Sequence, residues 1–150
     1  HQTGRRTSLH TRGVVAMAGT FGYELDPGKL SEEEKEEIKE QLRQFRKYAP
    51  LICQGDYYRL SSPYENPYFT AWQHVSRDKK KSLVSLVLTD KESNDAQRYL
   101  KLKGLDKDTM YQMEGQKERY SGAVLMYAGI PVPAELKEYE GIQMVIKAVS

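Results

Sequence analysis

The chain has 150 residues, enough for one domain or for a small domain and part of another. Its 23 Lys and Arg against 21 Asp and Glu leave a net charge of only +2, so no overall field favours nucleic acid or an anionic membrane. The sequence contains no run that approaches the roughly 18 apolar residues of a membrane helix, so we expect no membrane partner.

Residues 1–20 are expected to be irregular to helical. Thr7–Met17 carries several apolar residues, but Gly13 weakens a helix there. Phe21–Leu25 is an apolar and aromatic strand candidate. A strong turn signal, Asp26-Pro27-Gly28, ends that strand.

The next segment, Ser31–Tyr48, predicts a capped helix. Ser31 and Glu34 have the spacing of a capping box, in which the hydroxyl and the carboxylate each satisfy a free backbone N–H. The apolar residues are spaced by four, three and four, which predicts one buried stripe: Ile38, Leu42, Phe45 and Ala49. We expect Pro50 to end the helix, because proline has no N–H to donate to the preceding turn.

After Cys53, short β-rich runs alternate with turn residues, which predicts an antiparallel β-sandwich. Leu83–Leu88 is apolar on both faces, as is typical of a central strand. Ala123–Ala128 predicts a short helical turn. The predicted strands are Tyr68–Val75, Leu83–Thr89, Tyr99–Leu102, Met110–Met113 and Ile142–Val149.

The residues show no catalytic, metal or cofactor motif. The three histidines, His1, His10 and His74, have no ligand spacing among themselves or with Cys53, so we predict no metal site and no cofactor. Cys53 is the only cysteine, which excludes an intramolecular disulfide and fits a reducing compartment; we expect a cytoplasmic protein.

Acidic pairs such as Glu24 and Asp26 could in principle perform glycosidase chemistry, which needs two carboxylates across one bond. No second wall holds a sugar between them, so we predict that neither is catalytic. The more favoured interpretation is that Asp26 caps the turn at the end of the strand.

An aromatic cluster leaves two interpretations open. Exposed rings at the edge of a β-sandwich can stack on sugars, as in a carbohydrate-binding module. The favoured alternative is that the rings fill the core and an interface with a neighbouring domain. The candidate stacking residues are Tyr57, Tyr58, Tyr64, Tyr68 and Trp72.

Several motifs, taken in order along essentially the whole chain, resemble the C-terminal end of a family 36 glycoside hydrolase, the bacterial α-galactosidase family. Each is weak alone, but their order is specific. They are Thr11-Arg12-Gly13, Phe21-Gly22-Tyr23-Glu24-Leu25-Asp26, Gly55-Asp56-Tyr57-Tyr58-Arg59-Leu60, Thr70-Ala71-Trp72 and Tyr120-Ser121-Gly122.

The resemblance implies a fold and an enzyme of origin. Family 36 enzymes have a central (β/α)8 barrel and a C-terminal antiparallel domain, and they hydrolyse terminal α-galactosides such as melibiose and raffinose. Residues 1–50 would then be the last strand and helices of the barrel, and residues 51–150 the C-terminal β-sandwich. Both catalytic aspartates of the family lie on earlier strands, outside this chain. We therefore expect a mainly β (α+β) scaffold whose partners are the remainder of the enzyme and, in that enzyme, galactosides.

The resemblance also suggests a rim of the sugar pocket. Active sites of such barrels lie at the carboxyl ends of the strands, which makes Phe21, Gly22 and Tyr23 the candidate residues. A barrel closes only with eight βα units, about 250 residues, so we expect no catalysis by this chain alone. Residues 1–50 would dock on the sandwich or exchange between protomers of a homo-oligomer.

Overall fold

The computed structural model describes residues 7–91 and 96–149. Within these ranges the helices are α1 (Leu9–Ala16), α2 (Glu32–Gln54) and α3 (Gly122–Tyr127), and a 3-10 turn spans Pro27–Lys29. The strands are β1 (Asp56–Arg59), β2 (Phe69–Val75), β3 (Lys81–Leu88), β4 (Tyr99–Leu100), β5 (Met110–Met113), β6 (Arg119–Ser121), β7 (Ile130–Pro131) and β8 (Gly141–Ala148).

Six strands form one antiparallel sheet in the order β1-β2-β3-β8-β5-β6, and β4 pairs with β7 in a second sheet of two strands. The register places Leu83 of β3 opposite His74 of β2 and Val145 of β8. β3 is therefore a central strand, as its two apolar faces predict.

Neighbouring residues of the large sheet face two different cores, because successive side chains on a strand point to opposite faces. Leu83 and Val145 pack with the helices α1 and α2 and their connection. Val84 and Ile146 pack on the other side, with α3, the small sheet and the loops around it. The predicted fold class, a mostly antiparallel sheet with a few helices, is confirmed.

The capping box predicted at the start of α2 is confirmed. The Ser31 hydroxyl accepts a hydrogen bond from the Glu34 N–H (3.2 Å), and the Glu34 carboxylate accepts one from the Ser31 N–H (3.0 Å). The predicted end at Pro50 is wrong. The helix continues for one more turn, because Leu51 and Ile52 beyond the proline are buried against the sheet. It ends at Gly55, where a Cβ would lie 2.5 Å from the Leu51 carbonyl oxygen and 2.6 Å from that of Val75.

The buried face of α2 is rotated from the predicted stripe. Leu42 and Ala49 are only half-buried. The fully buried residues are Gln41, Tyr48, Leu51 and Ile52. The large Tyr48 ring removes more apolar surface from water than Ala49 does, which favours this rotation.

The predicted strand Phe21–Leu25 is wrong as well, since it pairs with no other strand in the described part of the chain. A strand needs hydrogen bonds to a partner strand, and none of the described strands pairs with this segment. The sequence also missed β1, β6 and β7, which have two to four residues each and depend on their neighbours for definition.

We predict that Pro50→Ala stabilises the chain by about 1–2 kcal/mol. The alanine N–H can donate a hydrogen bond to the carbonyl one turn earlier, which stabilises the folded state. Replacing proline also raises the conformational entropy of the unfolded chain, but this destabilising effect is smaller. The measurement is the thermal midpoint, which should rise by about 2–4 °C per kcal/mol.

Pro63→Ala is the matched control for this change. Pro63 occupies the second position of a turn closed by the Glu65 N–H on the Ser62 carbonyl (3.1 Å), where proline is favoured. Its replacement should leave the midpoint unchanged or lower it. An unchanged midpoint for Pro50→Ala would contradict the prediction.

Candidate functional site

The candidate rim, Phe21–Tyr23, lies between α1 and the 3-10 turn and packs on α2. The ring of Phe21 contacts that of Phe45 with centroids 5.0 Å apart, and Tyr23 meets Phe21 edge-on at 5.1 Å. Gly22 is exposed, and a Cβ placed on it would meet nothing within 4 Å. The segment and α1 together line a small cleft of about 170 Å³.

The hydroxyl of Tyr23 is held by Gln41 of α2. It donates a hydrogen bond to Gln41 Oε1, while Gln41 Nε2 donates to the Leu9 carbonyl and to Glu37 Oε1, both at 3.1 Å. Burial, and to a smaller extent the Glu37 carboxylate, raises the pKa of Tyr23 above its ordinary value. The hydroxyl therefore keeps its proton at neutral pH and remains a donor.

Gly13 makes this contact between α1 and α2 possible. A Cβ at that position would lie 2.4 Å from Gln41 Oε1, so only glycine allows the amide to approach the helix. The same glycine weakened the helix prediction for residues 7–17. Its cost in helix propensity is thus explained by the close packing of Gln41.

The two carboxylates near the rim do not form a catalytic pair. Glu24 is exposed. Asp26 caps the 3-10 turn by accepting a bond from the Gly28 N–H at 3.0 Å, as expected from the sequence, and it pairs with Lys29 at 3.8 Å. In residues 7–91 and 96–149, no three His, Cys, Asp or Glu side chains are grouped as metal ligands.

The rim is tied to the large sheet through α1 and the connection that follows it. The Gly141 N–H of β8 donates to the Thr11 hydroxyl in a buried bond of 2.9 Å. Met17, directly after α1, lies in the core between α2 and the sheet, with Leu83 and Val145. These contacts hold the rim in a fixed position relative to the β domain.

The aromatic cluster is divided between the faces of the sheet and a loop. Trp72 is 6% exposed and shares a sheet face with Tyr57, which is 56% exposed and lies edge-on to His74. Tyr58 packs against the core on the opposite face, and Tyr68 lies under the Arg98 guanidinium, 3.1 Å from its ring centroid. Tyr64 is 97% exposed, in the loop between β1 and β2. These rings do not form one stacking surface.

A wider cleft of about 760 Å³ lies between the end of α2 and the turn from β2 to β3. Its cations have partners within the chain: Arg77 Nε donates to the Gln54 carbonyl at 3.1 Å, and Lys47 pairs with Glu114 at 3.4 Å. Positive groups at this position stabilise the carbonyl end of the helix. We assign this cleft a structural role.

Comparison with known proteins gives matches along the whole chain. Residues 69–146 match the family model of the glycosyl hydrolase family 36 C-terminal domain, and residues 1–55 match the Melibiase model. The chain is 52% identical, over 95% of its length, to the bifunctional alpha-galactosidase/sucrose kinase AgaSK of Mediterraneibacter gnavus. It is 43% identical, over 99% of its length, to the alpha-galactosidase AgaA of Geobacillus stearothermophilus. The chain spans only 15% and 20% of the lengths of these two relatives.

Solved structures agree with these matches. The galactosidase domain of AgaSK superimposes with a TM-score of 0.93 at 50% identity, covering 99% of this chain and 21% of that one. A variant of AgaA in complex with raffinose gives 0.91 at 42% identity, covering 99% of this chain and 20% of that one. The fold and the matches together define the class of protein as a glycoside hydrolase family. The chain belongs to glycoside hydrolase family 36, and its β region is the C-terminal domain of that family.

We predict that stability falls as the pH drops from about 7.5 to 5.5, partly through His74. Burial lowers the pKa of His74 below its ordinary value of 6.5, and the influence of the Ala18 backbone opposes this only in part. The unfolded chain therefore takes up a proton near pH 6.5, whereas the folded chain does so only at lower pH. Urea unfolding across this range measures the slope.

His74→Gln is the control, because glutamine does not titrate. Its free energy of unfolding should depend less on pH than that of the unchanged chain. Identical slopes for the two chains would contradict the role of His74.

Proposed function

We propose that this chain is the C-terminal part of an α-galactosidase that hydrolyses terminal α-galactosides such as melibiose and raffinose. The chain supplies no catalytic carboxylate. It holds the last strand and helices of the catalytic barrel against the C-terminal domain. Its partners are the remainder of the enzyme and, in that enzyme, galactoside sugars; the raffinose complex of AgaA supports this choice of sugar.

One observation carries this proposal: the barrel-like segment is fixed to the sheet. Met17 and Tyr48, both within residues 1–50, pack on Leu83 and Val145, together with Leu51 and Ile52 in the last turn of α2. A scaffold domain must hold the barrel segment in a fixed orientation, and close packing of this kind provides the necessary rigidity. Within this proposal Phe21, Gly22 and Tyr23 form part of the active-site rim, since Phe21–Leu25 takes the place of the eighth barrel strand and active sites of such barrels lie at the carboxyl ends of the strands.

The proposal extends to domain division and location. Residues 1–50 belong to the barrel and residues 51–150 to a β-sandwich, whose second layer is the β4–β7 pair with α3 and its loops. Cys53 is exposed on α2, and an exposed single thiol is compatible with a reducing, cytoplasmic environment. No helix in the described ranges is long and apolar enough to cross a membrane.

We predict that the purified 150-residue chain does not hydrolyse a chromogenic α-galactoside above a buffer blank. In contrast, a hybrid of AgaA, in which the matched segment is exchanged for this chain, should be active. Its kcat/KM should lie within about a hundredfold of the parent, the loss expected for a misplacement of roughly 1 Å.

An inactive but folded hybrid would contradict the supporting role. Turnover by the isolated chain would contradict the absence of catalytic carboxylates, and Glu24 and Asp26 would be the first residues to replace.

The alternative, a carbohydrate-binding module, is not favoured because the aromatic cluster is divided. We predict that galactosides cause no saturable change in the fluorescence of Trp72, whose ring is buried on the helix side of the sheet. Titration with melibiose and raffinose measures this, with glucose as the control sugar. A saturable change specific to galactosides would favour the binding module.

A further inference from the structure

We infer that Gln41 is the positioning residue of the candidate rim: its buried amide sets where Phe21–Tyr23 lies relative to the C-terminal domain. The inference that this position affects substrate binding rests on the proposed function. The placement of the segment by Gln41 does not, since it follows from contacts within the chain.

The amide of Gln41 connects three separate segments. It accepts from the Tyr23 hydroxyl, donates to the Leu9 carbonyl at the start of α1, and donates to Glu37 on its own helix. A primary amide has two N–H donors and one carbonyl acceptor, and all three are engaged here. No other neutral side chain of this length offers the same set.

Burial makes these bonds specific. Gln41 is 3% exposed, so water does not replace a lost bond without entering the contact between α1 and α2. A buried polar group without a partner is unfavourable, which ties Tyr23 to this one acceptor. The Phe21 ring packs on that of Phe45, which lies on the same face of α2 one turn further along.

Gly13 adds independent support. Its missing Cβ leaves the space that the Gln41 amide occupies, with Cδ only 2.5 Å from where a Cβ would be. The surface of α1 therefore has a gap at Gly13 that accommodates this amide. Gly13→Ala should displace the amide without changing Gln41 itself, which provides a second variant.

The first test uses the 150-residue chain labelled with 4-fluorophenylalanine, because it has only three phenylalanines. Phe21 and Phe45 report on the rim, and Phe69, in the core on the other face of the sheet, is an internal control. In Gln41→Met, which keeps the length but loses every hydrogen bond, we expect the Phe21 and Phe45 resonances to shift and the Phe69 resonance to stay. Gly13→Ala should shift the same two resonances.

Gln44→Met is the matched control, since Gln44 lies three residues further on α2 and, among the described residues, bonds the exposed Glu40 carboxylate at 3.3 Å. Its spectrum should equal that of the unchanged chain. An unmoved Phe21 resonance in Gln41→Met, or an equal shift in Gln44→Met, would overturn the positioning role. If Gln41→Met unfolds and all three resonances move, Gly13→Ala becomes the deciding variant. An unmoved Phe21 resonance in Gly13→Ala would then overturn the positioning role.

The second test uses the AgaA hybrid and raffinose. Gln41→Met should raise KM at least about tenfold and change kcat less than about twofold, the pattern of a lost contact that serves substrate and transition state alike. Gln44→Met should change neither. A shifted Phe21 resonance with an unchanged KM would overturn the link to substrate binding. An inactive unmodified hybrid would overturn the proposed function, while the fluorine spectra would still decide whether Gln41 places the segment.

Discussion

The apolar contact between α2 and the large sheet is the interaction on which the rest of the structure depends. Tyr48, Leu51 and Ile52 pack against Leu83 and Val145. Full burial of such a side chain contributes about 1.5–3 kcal/mol, so Leu51 and Ile52 together offset the roughly 3 kcal/mol that a proline costs inside a helix. Most of α2 is highly charged, and a helix of that composition is marginal without such packing.

The position of the candidate rim follows from this contact. Gln41 lies on the same face of α2 as Ile52, eleven residues earlier, or about 16 Å along a helix that rises 1.5 Å per residue. Docking the end of α2 therefore fixes where the Gln41 amide, and with it Tyr23, is held. The buried bond between Thr11 and Gly141 fixes α1 to the sheet independently. A segment anchored through two helices is more precisely placed than a free loop.

Local signals in the sequence predicted the elements that depend on local interactions. The capping box at Ser31, the central strand β3 and the turn cap at Asp26 each require only neighbouring residues or an alternating pattern, and each is present. The failures are of another kind. The continuation past Pro50 depends on tertiary burial, and pairing of Phe21–Leu25 depends on a partner strand, which no local pattern reveals. The aromatic cluster is contiguous in sequence, yet alternation along β2 places Phe69 and Trp72 on opposite faces.

The candidate site also combines features that the sequence predicts with features that depend on tertiary contacts. The candidate rim residues are predicted through resemblance to a family, whereas Gln41 is not predicted because a glutamine is normally assigned to the solvent side of a helix. A signal was nevertheless present: Gln41 stands three residues after Ile38 and four before Phe45, within the apolar spacing, and Gly13 interrupts the helix that packs against it. A polar residue at a core position opposite a glycine in the neighbouring helix indicates a buried hydrogen-bonding contact. In this chain such a contact joins α1, α2 and the segment between them, and it fixes the position of that segment.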